Sequence, residues 1–422
     1  MSNKVLPYQS TDVPKLQVDA WTDNQRHHAT SITLTKSTIS WENLKKGVAF
    51  NISNVTGAKP SMTDPTSISI QVYKESNRRF KIFYFWFLTI ELAHTWFELI
   101  KSYSKGPQEN RNIAVILNPI SGNKSAWKVW RTKFQPALSY SGINYSLYET
   151  TGSNFIENWV KSREVKQFTD IVCMGGDGTM HLLITAIIKH QKDAFESINF
   201  GILPTGSRNA LAIEVGSKKS IEGIMNIIKG KTFKADLMKV RIESELSFAT
   251  TAVSWGIVSD ISEEAQHYRF LGAFRYTAVG LKKFVQKWKK YSAMVSYEAD
   301  SGEVLDINSD FTYVMVGNHR VQNISNNEIL TPNARINNGM LDLQMMSYGN
   351  KWKTVKMFKK AMKSGSHVEL GNITSVKTRL VSIEPKSPIV YNVDGEIYYG
   401  SSIQIQVMPQ MITYLGQTEQ AK

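Results

Sequence analysis

Apolar and polar positions follow three rhythms along the chain. Up to about residue 105 the period is two. Ser31-Ile-Thr-Leu-Thr and Ser67-Ile-Ser-Ile-Gln-Val-Tyr alternate as half-buried strands do, and the aromatic run Phe80–Phe87 reads as another strand. Glu91–Ser102 then switches to helical spacing through Leu92, Trp96, Leu99 and Ile100. After a polar, turn-rich stretch from Ser104 to Asn112, strand and helix alternate strictly. Strands are predicted at Ile113–Leu117, Tyr145–Glu149, Asp170–Met174 and Asn199–Leu203, with helices from Ser125, over Asn154–Arg163 and over Met180–His190. That alternation implies a parallel sheet with helices on its faces. From about residue 235 short strands dominate, among them Val240–Ile242, Ala293–Tyr297, Phe311–Val316, Leu341–Met345, Arg379–Ile383 and Ile403–Val407. Two basic helices, Phe274–Tyr291 and Trp352–Lys363, interrupt them.

The pattern divides the chain into a β-rich module (1–105), an α/β domain (110–235) and a mainly antiparallel β domain (236–415). Strands closed by one helix with Trp96 at its centre resemble a pleckstrin-homology-like module; a plain β-rich domain packing Trp96 in its core is the alternative.

Composition narrows the classes. With 42% hydrophobic and 20% charged residues over 422 positions, the chain is globular rather than disordered or fibrous. One cysteine, Cys173, excludes an intramolecular disulfide framework and any multi-thiolate metal site. Met1–Val13 is polar, and the greasiest stretch, Ile82–Ile90, is about half of the ~20 residues a membrane span needs, so a soluble, cytoplasmic chain is expected. The net charge of +14 suits an anionic partner: nucleic acid, anionic lipid or polyphosphate. No zinc-finger spacing, RNA-binding aromatic signature or basic recognition helix is present, so nucleic acid is not expected. Nothing in the sequence fixes an oligomeric state.

The distinctive chemistry sits just after predicted strands, where open parallel sheets bind ligands. Asn118-Pro-Ile-Ser-Gly-Asn-Lys-Ser follows the first strand of the α/β block and offers backbone N–H groups to phosphate. Gly175-Gly-Asp-Gly-Thr follows the third; a tight turn needs one glycine, not three, and Asp177 among them is expected to point into the cleft. Leu203-Pro-Thr-Gly-Ser-Arg-Asn-Ala follows the fourth and presents more donors, with Ser207. Asn392-Val-Asp-Gly-Glu is either a late site motif or simply a hairpin turn.

Together these motifs, with Ser254-Trp-Gly-Ile-Val-Ser-Asp-Ile, Tyr268-Arg-Phe-Leu-Gly-Ala-Phe-Arg-Tyr and Gly365-Ser-His-Val-Glu, resemble the diacylglycerol-kinase-like lipid kinases over roughly 112–414. Sphingosine kinases are the nearest branch and ceramide kinases the second. The resemblance implies an NAD kinase/diacylglycerol kinase-like α/β half and transfer of the γ-phosphoryl of ATP, with Mg²⁺, to a primary hydroxyl of a lipid at a membrane surface. It makes Asp177 the general base, with Gly175, Gly176, Gly178 and Ser262 at the substrate. It places nucleotide against Asn118, Pro119, Ile120, Thr150, Gly206, Ser207, Arg269, Arg275, Asp394, Gly395 and Glu396. No protein metal cluster is implied.

Three departures stand out: Leu182 where the family has Glu, Arg208 where it has Gly, and Ser262 where sphingosine kinases carry the Asp that meets the lipid amine. Ser262 keeps a hydrogen bond but loses the charge that favours a cationic headgroup, which opens ceramide-like and other neutral lipids. Leu182 and Arg208 leave room for a non-catalytic lipid-binding protein on the same fold. An NAD kinase would share the Gly-Gly-Asp-Gly-Thr motif but not the region around Trp255. The two lysine-rich helices are either solvated faces or a surface for anionic membrane.

Overall fold

In the N-terminal part the period-two segments form seven strands: β1 (Leu16–Trp21), β2 (Ala29–Leu34), β3 (Thr38–Asn43), β4 (Lys46–Asn51), β5 (Val55–Pro60), β6 (Ser67–Lys74) and β7 (Arg79–Trp86). They pair antiparallel in the order β4-β3-β2-β1-β7-β6-β5. The helix Ile90–Ser104 follows, its first turn held by the Leu92 amide donating to Thr89 Oγ1 at 3.3 Å. It buries Ala93, Trp96 and Ile100, spaced three and four apart, against the sheet. Trp96 meets Phe87 with ring centroids 6.0 Å apart, and Trp41 meets Phe83 and Phe85 edge-on at 4.8 and 4.9 Å. This computed structural model describes residues 15–418 apart from 24, 28, 44, 45, 106–109, 208, 272, 273, 286–288, 324–327 and 388.

The chain falls into two compact units, the first comprising residues up to 110 together with 131–143. In that unit the Tyr140 hydroxyl donates to Ser69 Oγ at 3.1 Å, and the Lys59 ammonium lies 4.9 Å from the Tyr140 ring centroid.

The second unit holds the α/β half. Strands β8 (Asn112–Leu117), β9 (Asn144–Glu149), β10 (Asp170–Gly175) and β11 (Asn199–Pro204) are parallel, in the order β11-β10-β8-β9. Every residue of β10 is buried, as a strand covered on both faces requires, which is why it reads as a continuous apolar run. The C-terminal half is mainly antiparallel, as the sequence pattern predicts. Its last strand, Ile403–Leu415, returns to the first: it runs parallel to β11 through Asn199↔Thr413 and Phe200↔Tyr414, and antiparallel to Thr232–Ile242. One sheet therefore runs through both halves, which the sequence pattern does not reveal. The first basic helix is shorter than predicted, Phe274–Val285, because alternation resumes at Tyr291, where a strand with strictly alternating burial begins. No helix among the described residues is long and apolar enough to cross a membrane.

Candidate active site

Three loops leave the C-terminal ends of β8, β10 and β11 and meet backbone to backbone. The Asn118 amide donates to the Met174 carbonyl at 3.0 Å, and its side-chain Nδ2 donates to Thr179 Oγ1 at 3.1 Å. Asn118 Oδ1 accepts the Ile120 amide at 3.2 Å, closing a local turn that leaves Ile120 exposed and Pro119 half-buried. The Thr205 amide donates to the Gly175 carbonyl at 3.2 Å. A Cβ on Gly206 would lie 2.4 Å from Gly176 Cα, so the loops touch only because neither residue has a side chain. Asn209 locks the second loop, accepting the Gly206 amide at 2.9 Å and donating back to the Gly206 carbonyl at 2.8 Å. Ser207 is half-buried beside it, and Arg208 lies outside the described residues. Thr150 continues β9 beside β8, its amide donating to the Leu117 carbonyl at 2.9 Å.

Asp177 opens the helix Asp177–His190, but its carboxylate does not simply face a cleft. Oδ2 accepts the Ala210 amide and Oδ1 the Leu211 amide, both at 3.0 Å. These are donors at the start of the helix Ala210–Glu214 that its own turns cannot satisfy. The sequence expectation is corrected to that extent: the carboxylate also ties two loops together. Its charge is felt nearby, where burial first and Asp177 second push the Cys173 thiol well above its usual range.

The late Asp-Gly-Glu motif is both a hairpin turn and part of this site. Asp394 and Gly395 join the paired strands Ile389–Val393 and Glu396–Gly400 with φ of 51° and 98°, as a tight hairpin needs. Asp394 is buried and accepts four bonds: from the Thr250 amide (2.6 Å), the Thr250 hydroxyl (2.8 Å), and the Thr251 and Ala252 amides (2.9 Å each). Burial pushes its carboxyl up, and those donors pull the other way. Its oxygens are thus consumed by the fold, although the motif places it among the nucleotide residues. Glu396 stands differently. A Cβ on Gly178 would be 2.6 Å from Glu396 Oε1, so this glycine lets the late motif reach the start of the Asp177 helix.

Sequence reasoning missed His181. It is fully buried one turn along from Asp177, with Nε2 2.9 Å from the Tyr398 hydroxyl and 3.3 Å from Ser247 Oγ, and Nδ1 3.9 Å from Asp394 Oδ2. Burial lowers its pKa to about 4, against the pull of Glu396. A histidine inside an apolar run gives no periodic signal; only its place after the glycine motif could have marked it. Leu182 is 37% exposed, a surface position rather than core.

Other motif residues stand further along the chain. Ser262 lies on the helix Ile257–Ala265, its hydroxyl donating to the Val258 carbonyl at 2.9 Å. That helix is tied to the strand that Glu396 begins, through the Tyr399 hydroxyl donating to Glu263 at 2.7 Å. Asp260 is buried there and accepts the Tyr291 hydroxyl at 2.7 Å. Arg275 lies in the first turn of the helix Phe274–Val285 and donates to the Tyr276 hydroxyl at 2.9 Å. The side chain of Arg269 lies outside the described ones.

As a chemical device, the loop cluster is a cradle of backbone in which Gly176 and Gly206 meet, with Asn209 and Asp177 beside it and Glu396 against Gly178. Such a cradle admits phosphate groups closely. No group of three or more His, Cys, Asp or Glu residues that could hold a metal ion occurs among the described residues.

Comparison with known proteins agrees with this anatomy. Residues 112–240 match the diacylglycerol kinase catalytic domain, and residues 251–416 match the YegS C-terminal NAD kinase beta sandwich-like domain. Mouse (Mus musculus) sphingosine kinase 1 is 26% identical over 345 residues, covering 71% of this chain and 90% of that protein. Arabidopsis thaliana sphingosine kinase 1 is 23% identical, covering 74% and 73%. Human (Homo sapiens) ceramide kinase is 22% identical, covering 54% and 46%. A diacylglycerol kinase from Bacillus anthracis str. Sterne shares the fold with a TM-score of 0.56 at 18% identity, covering 73% of this chain and 97% of its own. Through residues 112–240 and 251–416 the chain is thus similar to the diacylglycerol kinase-like lipid kinases, with sphingosine kinases among its relatives.

Proposed function

We propose that the chain is an ATP-dependent lipid kinase that phosphorylates the primary hydroxyl of a sphingoid base or a related lipid. The observation that carries this is the glycine cradle of Gly176 and Gly206 with Asp177 beside it and Glu396 against Gly178, in a chain similar to these kinases. Phosphoryl transfer asks a protein for positioning and charge neutralisation more than for covalent chemistry; the backbone of the cradle would supply the first, and arginines with Mg²⁺ the second. Asn118, Pro119, Ile120, Thr150, Gly206 and Ser207 would hold the nucleotide, with Arg269 and Arg275 on its phosphates. Asp177 would take the proton of the lipid hydroxyl, with Gly175, Gly176 and Gly178 leaving room for it. Asp394 and Gly395 would act by placing Glu396 and the Thr250–Ala252 backbone. Mg²⁺, when bound, would neutralise the phosphates, with Glu396 or Asp177 contributing a ligand beside phosphate oxygens and water.

The same reading divides the chain into a pleckstrin-homology-like module (1–105), a nucleotide domain (110–235) and a lipid-binding domain (236–415), acting in the cytoplasm at a membrane surface. Ser262 favours a second acceptor class, ceramide or another neutral lipid, because the position lacks a charge for an amine. The test is transfer from radiolabelled ATP to sphingosine, ceramide and diacylglycerol in mixed micelles. Transfer to one of them is expected. Absence of transfer to all three, with lipid binding retained, would replace this reading by a non-catalytic lipid-binding protein.

A further inference from the structure

The two lysine-rich helical regions, alike in sequence, differ in what their charges meet. Around the first, Lys282 and Lys283 pair with Glu264 at 2.5 and 2.9 Å, Lys289 with Asp260 at 3.5 Å and Lys290 with Asp310 at 2.7 Å. Those charges are spent within the protein. The helix Lys351–Lys363 contains no Asp or Glu and carries Lys351, Lys353, Lys356, Lys359, Lys360 and Lys363. None of Lys353, Lys356, Lys359, Lys360 or Lys363 lies within ion-pair distance of a carboxylate among the described residues.

Helical geometry gathers these charges. At about 100° per residue, Trp352, Lys356, Lys359 and Lys363 fall within an arc of roughly 60°, flanked on one side by Lys353 and Lys360. Thr354, Met357 and Ala361 occupy the opposite side and are buried, so the helix is anchored and cannot turn its lysines away. Trp352 is 63% exposed on the lysine face. A lone exposed Trp in a stripe of lysines has the amphipathic character of a helix lying on a lipid headgroup layer, with the ring entering the interface and the ammonium groups meeting phosphate.

We infer that the outer face of the helix Lys351–Lys363 docks on an anionic lipid bilayer. The inference deepens the lipid-kinase reading by assigning the surface that meets the substrate's membrane, but its test needs no kinase activity. The full chain is sedimented with vesicles of phosphatidylcholine alone and of phosphatidylcholine with about 30% phosphatidylserine. A triple variant, Lys356→Gln, Lys359→Gln and Lys363→Gln, is compared with the parent, and thermal melts check that both are folded. Binding to the anionic vesicles only, weakening with added salt, is expected for the parent. Each lysine near an anionic surface is worth about fivefold in partition, so the triple variant should lose on the order of 100-fold. Trp352→Ala should weaken binding without changing its salt dependence. Equal binding of parent and triple variant, or equal binding of the parent to both vesicle types, would overturn the assignment. So would retention on heparin by this face without vesicle binding, which would point to nucleic acid. Parallel phosphorylation of a lipid in detergent micelles separates the two proposals: vesicle binding without turnover sinks the kinase reading alone, and turnover with normal binding by the triple variant sinks the docking face alone.

Discussion

Replacing Asp177 by Asn separates the two tasks its carboxylate would perform. Asp177 accepts the Ala210 and Leu211 amides, one on each oxygen, both at 3.0 Å. Asn keeps one acceptor and turns an N–H₂ toward the other amide, so one charge-assisted bond is lost. At about 1.5–3 kcal/mol for such a bond, and with Asp177 only half-buried, the loss of stability should be roughly 2 kcal/mol. A domain near the low end of ordinary stability, about 5 kcal/mol, would keep about 3 and remain more than ~99% folded. A purely structural Asp177 would therefore leave turnover almost unchanged. A general base predicts a fall of at least ~10²-fold, about 2.7 kcal/mol on the barrier. The assay is a urea denaturation midpoint alongside lipid phosphorylation at 25 °C, with nucleotide affinity measured separately. A folded Asn variant with wild-type turnover would remove Asp177 from the chemistry and leave it as a tie between loops.

The other expectations rest on separate contacts. Asp394→Asn can keep at most two of the four bonds Asp394 accepts and should cost roughly 3–5 kcal/mol, whereas Glu396→Gln should leave stability unchanged and lower turnover. Denaturation midpoints for both variants check this, and equal stability losses would contradict it. His181 and His319, both buried with pKa lowered to about 4, bind protons more readily unfolded. Their contribution is complete above about pH 6.5 and is lost as pH falls toward 4, at about 1.4 kcal/mol per pH unit for each. His181→Asn should flatten that slope in denaturation curves at pH 7, 6 and 5; an unchanged slope refutes the assignment. Ser262→Asp should raise preference for sphingosine over ceramide by ~1–2 kcal/mol in relative catalytic efficiency, fading as the amine deprotonates. Competition between the two lipids at two pH values reads it, and no change means that another residue meets the headgroup.

Much of this was legible because it depends on period and on strand ends. The parallel strands announce themselves as apolar runs, and the glycine motifs follow them directly, so the glycine-rich loops at the strand ends can be located from sequence alone. In the N-terminal module β2, β6 and β7 are visible, but Leu16–Trp21, Thr38–Asn43, Lys46–Asn51 and Val55–Pro60 are not. What sequence does not carry is the partner of a polar side chain when that partner is backbone. Asp177 meets amides that any residue would supply at positions 210 and 211, and Asp394 does the same with positions 250–252. The two meanings of Asp394-Gly395, turn or site, are compatible: the turn geometry is what carries Glu396 to Gly178.

That contrast bears on how the site is built. Two of its three motif carboxylates satisfy backbone amides from remote segments, Asp177 across 33 and 34 residues and Asp394 across 142 to 144. Each satisfies amide groups that would otherwise face a water-poor region without a partner, so each is held by geometry as well as by chemistry. Glu396 accepts no hydrogen bond among the described residues, yet it reaches the same place, against Gly178. A carboxylate that no hydrogen bond of the fold occupies, placed at the start of the Asp177 helix, is the one available to answer a ligand. Asp177 accepts one amide on each oxygen and keeps a second lone pair on each, so it can join without releasing either. The bonds of Asp177 fix where its carboxylate stands, and those of Asp394 support the placement of Glu396. Exchanging Asp394 would disturb the site through its framework, and exchanging Glu396 through its charge.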